Sequence, residues 1–396
     1  MTLSPLSSHV VSQATPTAHS PMGNLSTGTH AVPDVLVMAS SSGLGHCWDR
    51  LVECLKALWK SIAACFGAKN TSVSAFSSMA PLVINPSEHP HRLTNPNKIF
   101  VYNQLVGNRS VGNPVTVQTL GLNDPHSLDP LEAFPAHRPT FGLINGPFLY
   151  DASTAQTVHW TANFADSHLF GFCDGPLLAQ DELQVLEHPA LAHVKNALPA
   201  GQRILRPYEA ALFQNVPRLG ALDTTTPLAN HQTLYGNNFS RATQQDIQSH
   251  LVRFENPVLS NIFAIAAPHI ASNLVGQPYQ KRDLESLFYT FYNASKGMKE
   301  TCLGKRVVVH TGNWGAGAFG NDPKTVHLIQ LAAARCAGID EIRMYPMSNQ
   351  AELLAARLLL NQIEQQNPQM TIGQLLDHLT THAATYGLTY QAGNGT

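Results

Sequence analysis

The sequence predicts an α/β fold in which a largely parallel or mixed sheet carries helices on both faces. Three observations predict it. β-branched and aromatic runs alternate with amphipathic stretches along the chain. Hydrophobic residues make up 43% of 396 residues, ample for a core. And Val307-Val308-Val309-His310 runs straight into a glycine-rich loop and a helix start, the junction at which such folds hold anionic ligands.

In chain order, residues 1–33 lack Asp, Glu, Lys and Arg and are rich in Ser, Thr, Pro and His, a composition that predicts a disordered leader. Residues 34–84 are expected to hold an amphipathic helix and a linker. Within them Trp48, Leu51, Leu55, Leu58, Ile62 and Phe66 recur at helical spacing, so 48–66 is read as a helix that packs on the main domain or meets a partner or membrane surface. Proline pairs mark 67–97 as linker, and the folded domain is placed at about 85–396. Strands are expected at Ile99-Phe100-Val101-Tyr102, Val115-Thr116-Val117, 158–164, Ala211-Leu212-Phe213, 262–266, 307–309 and 342–345. Helices are expected at 178–187, 241–254, 282–297, 323–337, 349–365 and 371–384.

Charge excludes some function classes. With 13% charged residues and a net charge of −2, the chain has no basic excess for a nucleic-acid backbone. The six cysteines form no CxxC pair and no close Cys/His cluster, which predicts reduced thiols, no metal and no cofactor. No apolar run reaches transmembrane length, and the N-terminus lacks a signal-peptide pattern.

Gly312, Gly315, Gly317 and Gly320 lie between a strand and a helix opened by Asp322 as N-cap and Pro323 as first residue. Backbone N–H groups in such a loop approach a ligand closely and the helix end adds positive charge, a setting for phosphate or diphosphate. Gly315-Ala316-Gly317-Ala318-Phe319-Gly320 also reads as G-x-G-x-x-G. A dinucleotide site would have its glycines open the helix and an acid end the next strand; here Pro323 opens the helix and Tyr345 runs into Pro346. A second strand–loop–helix junction runs from Asn163 to Glu182. Its adjacent Asp181 and Glu182 are candidates for general acid/base work, or simply complement a helix dipole. Cys173 near His168 matches no nucleophilic mechanism and is read as packing.

Taken together, the two junctions carry a resemblance. Thr311-Gly312-Asn313-Trp314-Gly315-Ala316-Gly317-Ala318-Phe319-Gly320-Asn321-Asp322 closely resembles TGNWGCGAFGGD, the C-terminal signature of the poly(ADP-ribose) glycohydrolase (PARG) family of macrodomains, departing at Ala316 and Asn321. Asn163-Phe164-Ala165-Asp166, Gly171, Gln180-Asp181-Glu182 and Pro189-Ala190-Leu191 resemble the family's catalytic loop, D-F-A-N, GGG, Q-E-E and Pro-x-Leu. Asp283 to Tyr289 is similar to the helix before the signature strand in microbial relatives, and the resemblance spans roughly residues 155–345.

The resemblance implies a three-layer α/β/α macrodomain with a mixed central sheet, preceded by a helical extension. It implies an ADP-ribosyl glycohydrolase with ADP-ribose and ADP-ribosylated protein as partners. Glu182 would be the general acid/base, Asp181 would orient ribose hydroxyls, and Gln180 keeps its identity. Asn163, Asp166, Gly171, Gly312, Asn313, Trp314, Gly315, Gly317, Ala318 and Phe319 would contact the ligand, with Asp322 either joining them or only capping its helix. Asn163 stands where the family has Asp, and Phe170-Gly171-Phe172 replaces three glycines, which tilts the expectation from polymer toward mono-ADP-ribosylated protein. Two alternatives remain at this point: a macrodomain that binds ADP-ribose without cleaving it, and a Rossmann oxidoreductase. The chain is expected in the cytoplasm or, given its charge-free leader, delivered into a host cell as an effector.

Overall fold

The computed structural model describes residues 76–122 and 134–393. The expected leader and the 48–66 helix lie outside the described residues. The first strands are β1 (Phe76–Ser78) and β2 (Leu82–Ile84), both antiparallel to β3 (Val115–Leu122). Two strands therefore come from the stretch read as linker; at three residues each, they are too short to show a period.

Between them and β3 lies helix α1 (Pro96–Val106), where the sequence reading had put a strand at Ile99–Tyr102. Start signals override that β-like run. Asn95 caps the helix, accepting from the N–H groups of Asn97 and Lys98, and Pro96 takes the first turn, where its missing donor costs nothing. The short strand β4 (Thr140–Leu143) was not anticipated either. β5 (Thr157–Ala165) follows, then helices α2 (Gln180–Glu187) and α3 (Ala190–Ala197). β6 (Ala210–Leu222) leads to α4 (Gln244–His250) and β7 (Leu251–Ala266). The helix expected over 241–254 thus stops at His250, because its last residues belong to a long strand paired along β6.

The remainder alternates as expected: α5 (Lys281–Thr301), β8 (Arg306–Gly312), α6 (Pro323–Cys336), β9 (Glu341–Tyr345), α7 (Gln350–Gln366), α8 (Ile372–Thr381) and α9 (Ala383–Tyr386). Gly338, at φ 73°, supplies the left-handed step that ends α6.

The nine-stranded sheet has the order β1-β3-β6-β7-β5-β8-β9-β4, with β2 also on β3. β7, β5, β8, β9 and β4 run parallel; β3 and β6 are antiparallel to their neighbours. Alternate residues face opposite layers. Trp160, Ala162, Leu212, Phe263, Val309 and Met344 pack against α5, α6, α7 and α8. Ala211, Phe213, Ile262 and Ala264 pack against α1, α2 and α3 on the other side. This is the expected mixed α/β/α architecture. Among the described residues no helix is long and apolar enough to cross a membrane.

Candidate functional site

β5 and β8 are adjacent parallel strands, so their following loops leave from neighbouring carboxyl ends, the side on which open α/β sheets bind ligands. The last β5 residue paired to β8 is Thr161, opposite His310. Beyond it the backbone of β5 has an open edge, which Gln180 closes. Its Oε1 accepts from Phe164 N at 2.8 Å and its Nε2 donates to Ala162 O at 3.0 Å. Gln180 thus docks the start of α2 on the strand end and positions the two carboxyls that follow it.

Both carboxyls are buried, Glu182 at 3% exposure and Asp181 at 9%. Glu182 Oε2 accepts the N–H of Ala179 at 2.7 Å, satisfying one of the helix's open donors. Asp181's carboxyl is pushed well above the usual carboxylate range, first by burial and then by Glu182 beside it. Two carboxyls so placed cannot both ionise at low cost.

The loop between β5 and α2 is held by cations that sequence reasoning missed. Lys98, on α1, is fully buried, and its ammonium donates to Phe172 O at 3.4 Å. Burial lowers its pKa, while Glu182, Cys173, Asp181 and Asp174 pull the other way. Lys195, on α3, reaches Gly171 O at 3.3 Å and Asp174 Oδ2 at 2.8 Å. Asp174 is therefore paired. Phe170 sits at φ 55°, a left-handed conformation that costs a non-glycine residue about 1–2 kcal/mol, and its ring is buried against Phe213. A Cβ on Gly171 would lie 2.8 Å from His168 O, so that glycine is required by close approach. Asp166 Oδ1 accepts from His168 N at 2.8 Å and turns the chain. Asn163 is fully buried with neither amide atom partnered, an unusual state for a core amide. Burial pushes the Cys173 thiol up to about 12, consistent with packing rather than nucleophilic use.

Tyr235 was also missed. Leu178 and Gly236 exchange backbone hydrogen bonds of 3.2 and 2.9 Å, which brings Tyr235 to the pair. Its hydroxyl is pushed up to about 12 by burial and then by the charges of Asp181 and Glu182. No local motif announces it, because it lies more than fifty residues from the carboxyls.

The loop after β8 is built differently. Trp314 is buried, donating Nε1–H to Ile265 O at 3.2 Å, so only its backbone can face a ligand. Asn313 is tied at both ends of its amide, to Pro346 O at 2.9 Å and His327 Nε2 at 3.0 Å. Gly315 stands at φ 69°, and a Cβ there would lie 2.4 Å from Ala267 Cβ. Asn321, where the family signature has glycine, is fully buried and bonds Pro268 O, Gly315 O and the Tyr279 hydroxyl. The N–H groups of Trp314, Ala316, Gly320 and Asn321 are bonded within the loop or to its neighbours. Those of Gly315, Gly317, Ala318 and Phe319 have no partner among the described residues. Phe319 is partly buried beside His269, its carbonyl accepting from Ile270 N at 2.9 Å.

Asp322 Oδ2 accepts from both Thr325 N, at 2.8 Å, and Thr325 Oγ1, at 2.6 Å. Its carboxylate caps α6, the second of the two roles expected for it. The positive end of α6, expected to serve a ligand, is thus already answered by a buried carboxylate, and the four free N–H groups of the loop remain. The Rossmann alternative loses its ground, because α6 starts at Pro323 after the last glycine and β9 ends at Tyr345 without an acid.

Residues 229–355 match a family model described as poly(ADP-ribose) glycohydrolase (PARG), macro domain fold. No curated protein matches the chain. Among solved structures, the chain is similar to the PARG of Thermomonospora curvata at 14% identity, with 65% of this chain and 88% of that one covered and a TM-score of 0.37. It is similar to Deinococcus radiodurans PARG in complex with ADP-ribose at 14% identity, 72% and 94% coverage and a TM-score of 0.35. An Oceanobacillus iheyensis macrodomain with MES bound is similar at 10% identity, 58% and 97% coverage and a TM-score of 0.35.

Proposed function

We propose that this chain, whose residues 229–355 belong to the PARG-type macrodomain family, is an ADP-ribosyl glycohydrolase that releases ADP-ribose from ADP-ribosylated protein. The observation that carries this reading is the buried Asp181–Glu182 pair at the start of α2, beyond the carboxyl end of β5, next to the strand end from which the loop after β8 leaves. The diphosphate lies against the free N–H groups of Gly315, Gly317, Ala318 and Phe319, and Phe319 packs on the distal ribose. Glu182 gives its proton to the oxygen leaving ribose C1″. The C1″–O bond breaks through an oxocarbenium-like state, and Glu182, now a carboxylate, takes a proton from the water that adds to C1″. Asp181 orients the ribose hydroxyls.

Mono-ADP-ribosylated protein is favoured over polymer. Phe172, 57% exposed, presents an aromatic ring where a glycine loop would leave room for a further ADP-ribose unit. The test is release of free ADP-ribose from a mono-ADP-ribosylated protein and from poly(ADP-ribose), with wild type beside Glu182→Gln. Release from the first substrate, reduced at least a hundredfold in the mutant, is expected. Binding of ADP-ribose without release, unchanged in Glu182→Gln, would instead make the protein a reader, the reading favoured by Asn163 and the replaced glycines.

A further inference from the structure

A second polar cluster lies on β5 and β8, on the sheet face opposite Trp160 and Val309. His159 Nδ1 is 3.0 Å from His310 Nε2 and 3.9 Å from Asp151 Oδ2, and donor atoms of all three residues lie within 4.8 Å of one another. Two imidazoles and a carboxylate are a donor set of four-coordinate zinc sites that keep a position open. Two nitrogens bound to one such ion sit roughly 3.3 Å apart, close to the spacing already present. The expectation of no metal rested on the cysteines, and this cluster contains none.

The surroundings fit a ligand set. The second ring nitrogen of His310, Nδ1, pairs with the Tyr345 hydroxyl at 2.8 Å, the outer hydrogen bond that orients a metal-binding imidazole. His159 is held by its own backbone, whose N–H donates to Ser153 Oγ at 3.0 Å and whose carbonyl accepts from Asn261 at 3.1 Å. Arg343 opposes a cation here: it pairs with the same Asp151 Oδ2 and with Glu341 Oε1, so a bound ion would share the Asp151 carboxylate with a guanidinium. The side chain of Asp151 is 40% exposed and gives an entry path from solvent.

We propose that Asp151, His159 and His310 form a zinc(II) site with its fourth position open to water. Bound zinc ties the segment carrying Asp151 to β5 and β8, two residues before Gly312. The site is independent of the proposed glycohydrolase reaction.

The full chain, stripped with chelator and dialysed, is titrated with Zn²⁺ by calorimetry, with melting followed in parallel. Because the chain has 19 histidines, variants and not stoichiometry decide the assignment. Wild type is expected to bind one tight equivalent and to melt higher with it. Asp151→Asn and His159→Gln, both at partly exposed positions, are expected to weaken that equivalent at least tenfold and to lose the rise in Tm. Absence of tight binding, or binding unchanged in both variants, would overturn the site. A variant that unfolds without metal leaves the decision to the other, and Co²⁺ absorption in wild type reports nitrogen ligation independently.

Discussion

At the end of β8 the chain holds its loop with neutral groups, whereas at the end of β5 it uses charges. The first loop is fixed by Asn313, Asn321, the Trp314 indole and the Tyr279 hydroxyl, with left-handed glycines where backbone crowds backbone. The second is fixed by Lys98 and Lys195 beneath it, and it places two carboxyls out of water. Neutral clamps are cheap to bury and leave N–H groups free for an anion. Buried charges are costly, and that cost is what raises the Asp181 carboxyl. On the proposed function one loop binds and the other transfers a proton, and substitutions should separate the two.

The largest effect is expected in the neutral loop. Gly315→Val would drive a branched side chain into Ala267 at a left-handed position, costing about 3 kcal/mol or more, and Tm should fall sharply. Gly338→Val shares the positive φ but meets nothing within 4 Å, so it should lose markedly less. Equal losses at both glycines would mean that backbone strain, and not crowding, sets the requirement.

The charged loop should respond in activity before stability. Lys98→Met removes an ammonium from a fully buried position and fills the space with an apolar chain of similar length. ADP-ribose release is expected to fall about tenfold, with a smaller fall in Tm, because the loop loses its tie at Phe172 and the nearby carboxyls lose a countercharge. A fall in Tm with unchanged release would reassign Lys98 to a purely structural role.

The smallest effect concerns pH. Asp181's folded pKa is raised, so its contribution to stability is complete below the unfolded value of about 3.9 and is lost as pH rises through the folded value. Asp181→Asn removes that loss. The variant should gain about 0.5–2 kcal/mol at neutral pH, and the difference should appear from about pH 4 upward in melting curves. A gain independent of pH would mean that burial of Asp181 is not what strains the wild type.

Much of this could be read along the chain. Asp322, Pro323 and Gly338 announced α6 because capping acts within one turn, and the cap was found as drawn. The β-branched and aromatic runs at 158–164 and 307–309 placed the central strands by composition, and the fold then shows Trp160, Ala162 and Val309 on one buried face. Ile99–Tyr102 was misread because its β-branched and aromatic residues carry the same composition in either state. The cap at Asn95 and burial against other helices chose the helix. Glu182 and Asp181 were singled out by motif, but their burial was not visible there.

Sequence alone determined the α/β class, the two strand–loop–helix junctions and the glycines of the signature, because propensity, capping and left-handed backbone are local properties. Tertiary structure alone decided which polar groups meet. Lys98 comes to Phe172 across 74 residues and His159 to His310 across 151. Those separations are set by the order of strands in the sheet, and at such distances composition and spacing carry no signal. Burial itself then shifts protonation, raising Asp181 and lowering His310, since a low-dielectric interior disfavours the charged form of each.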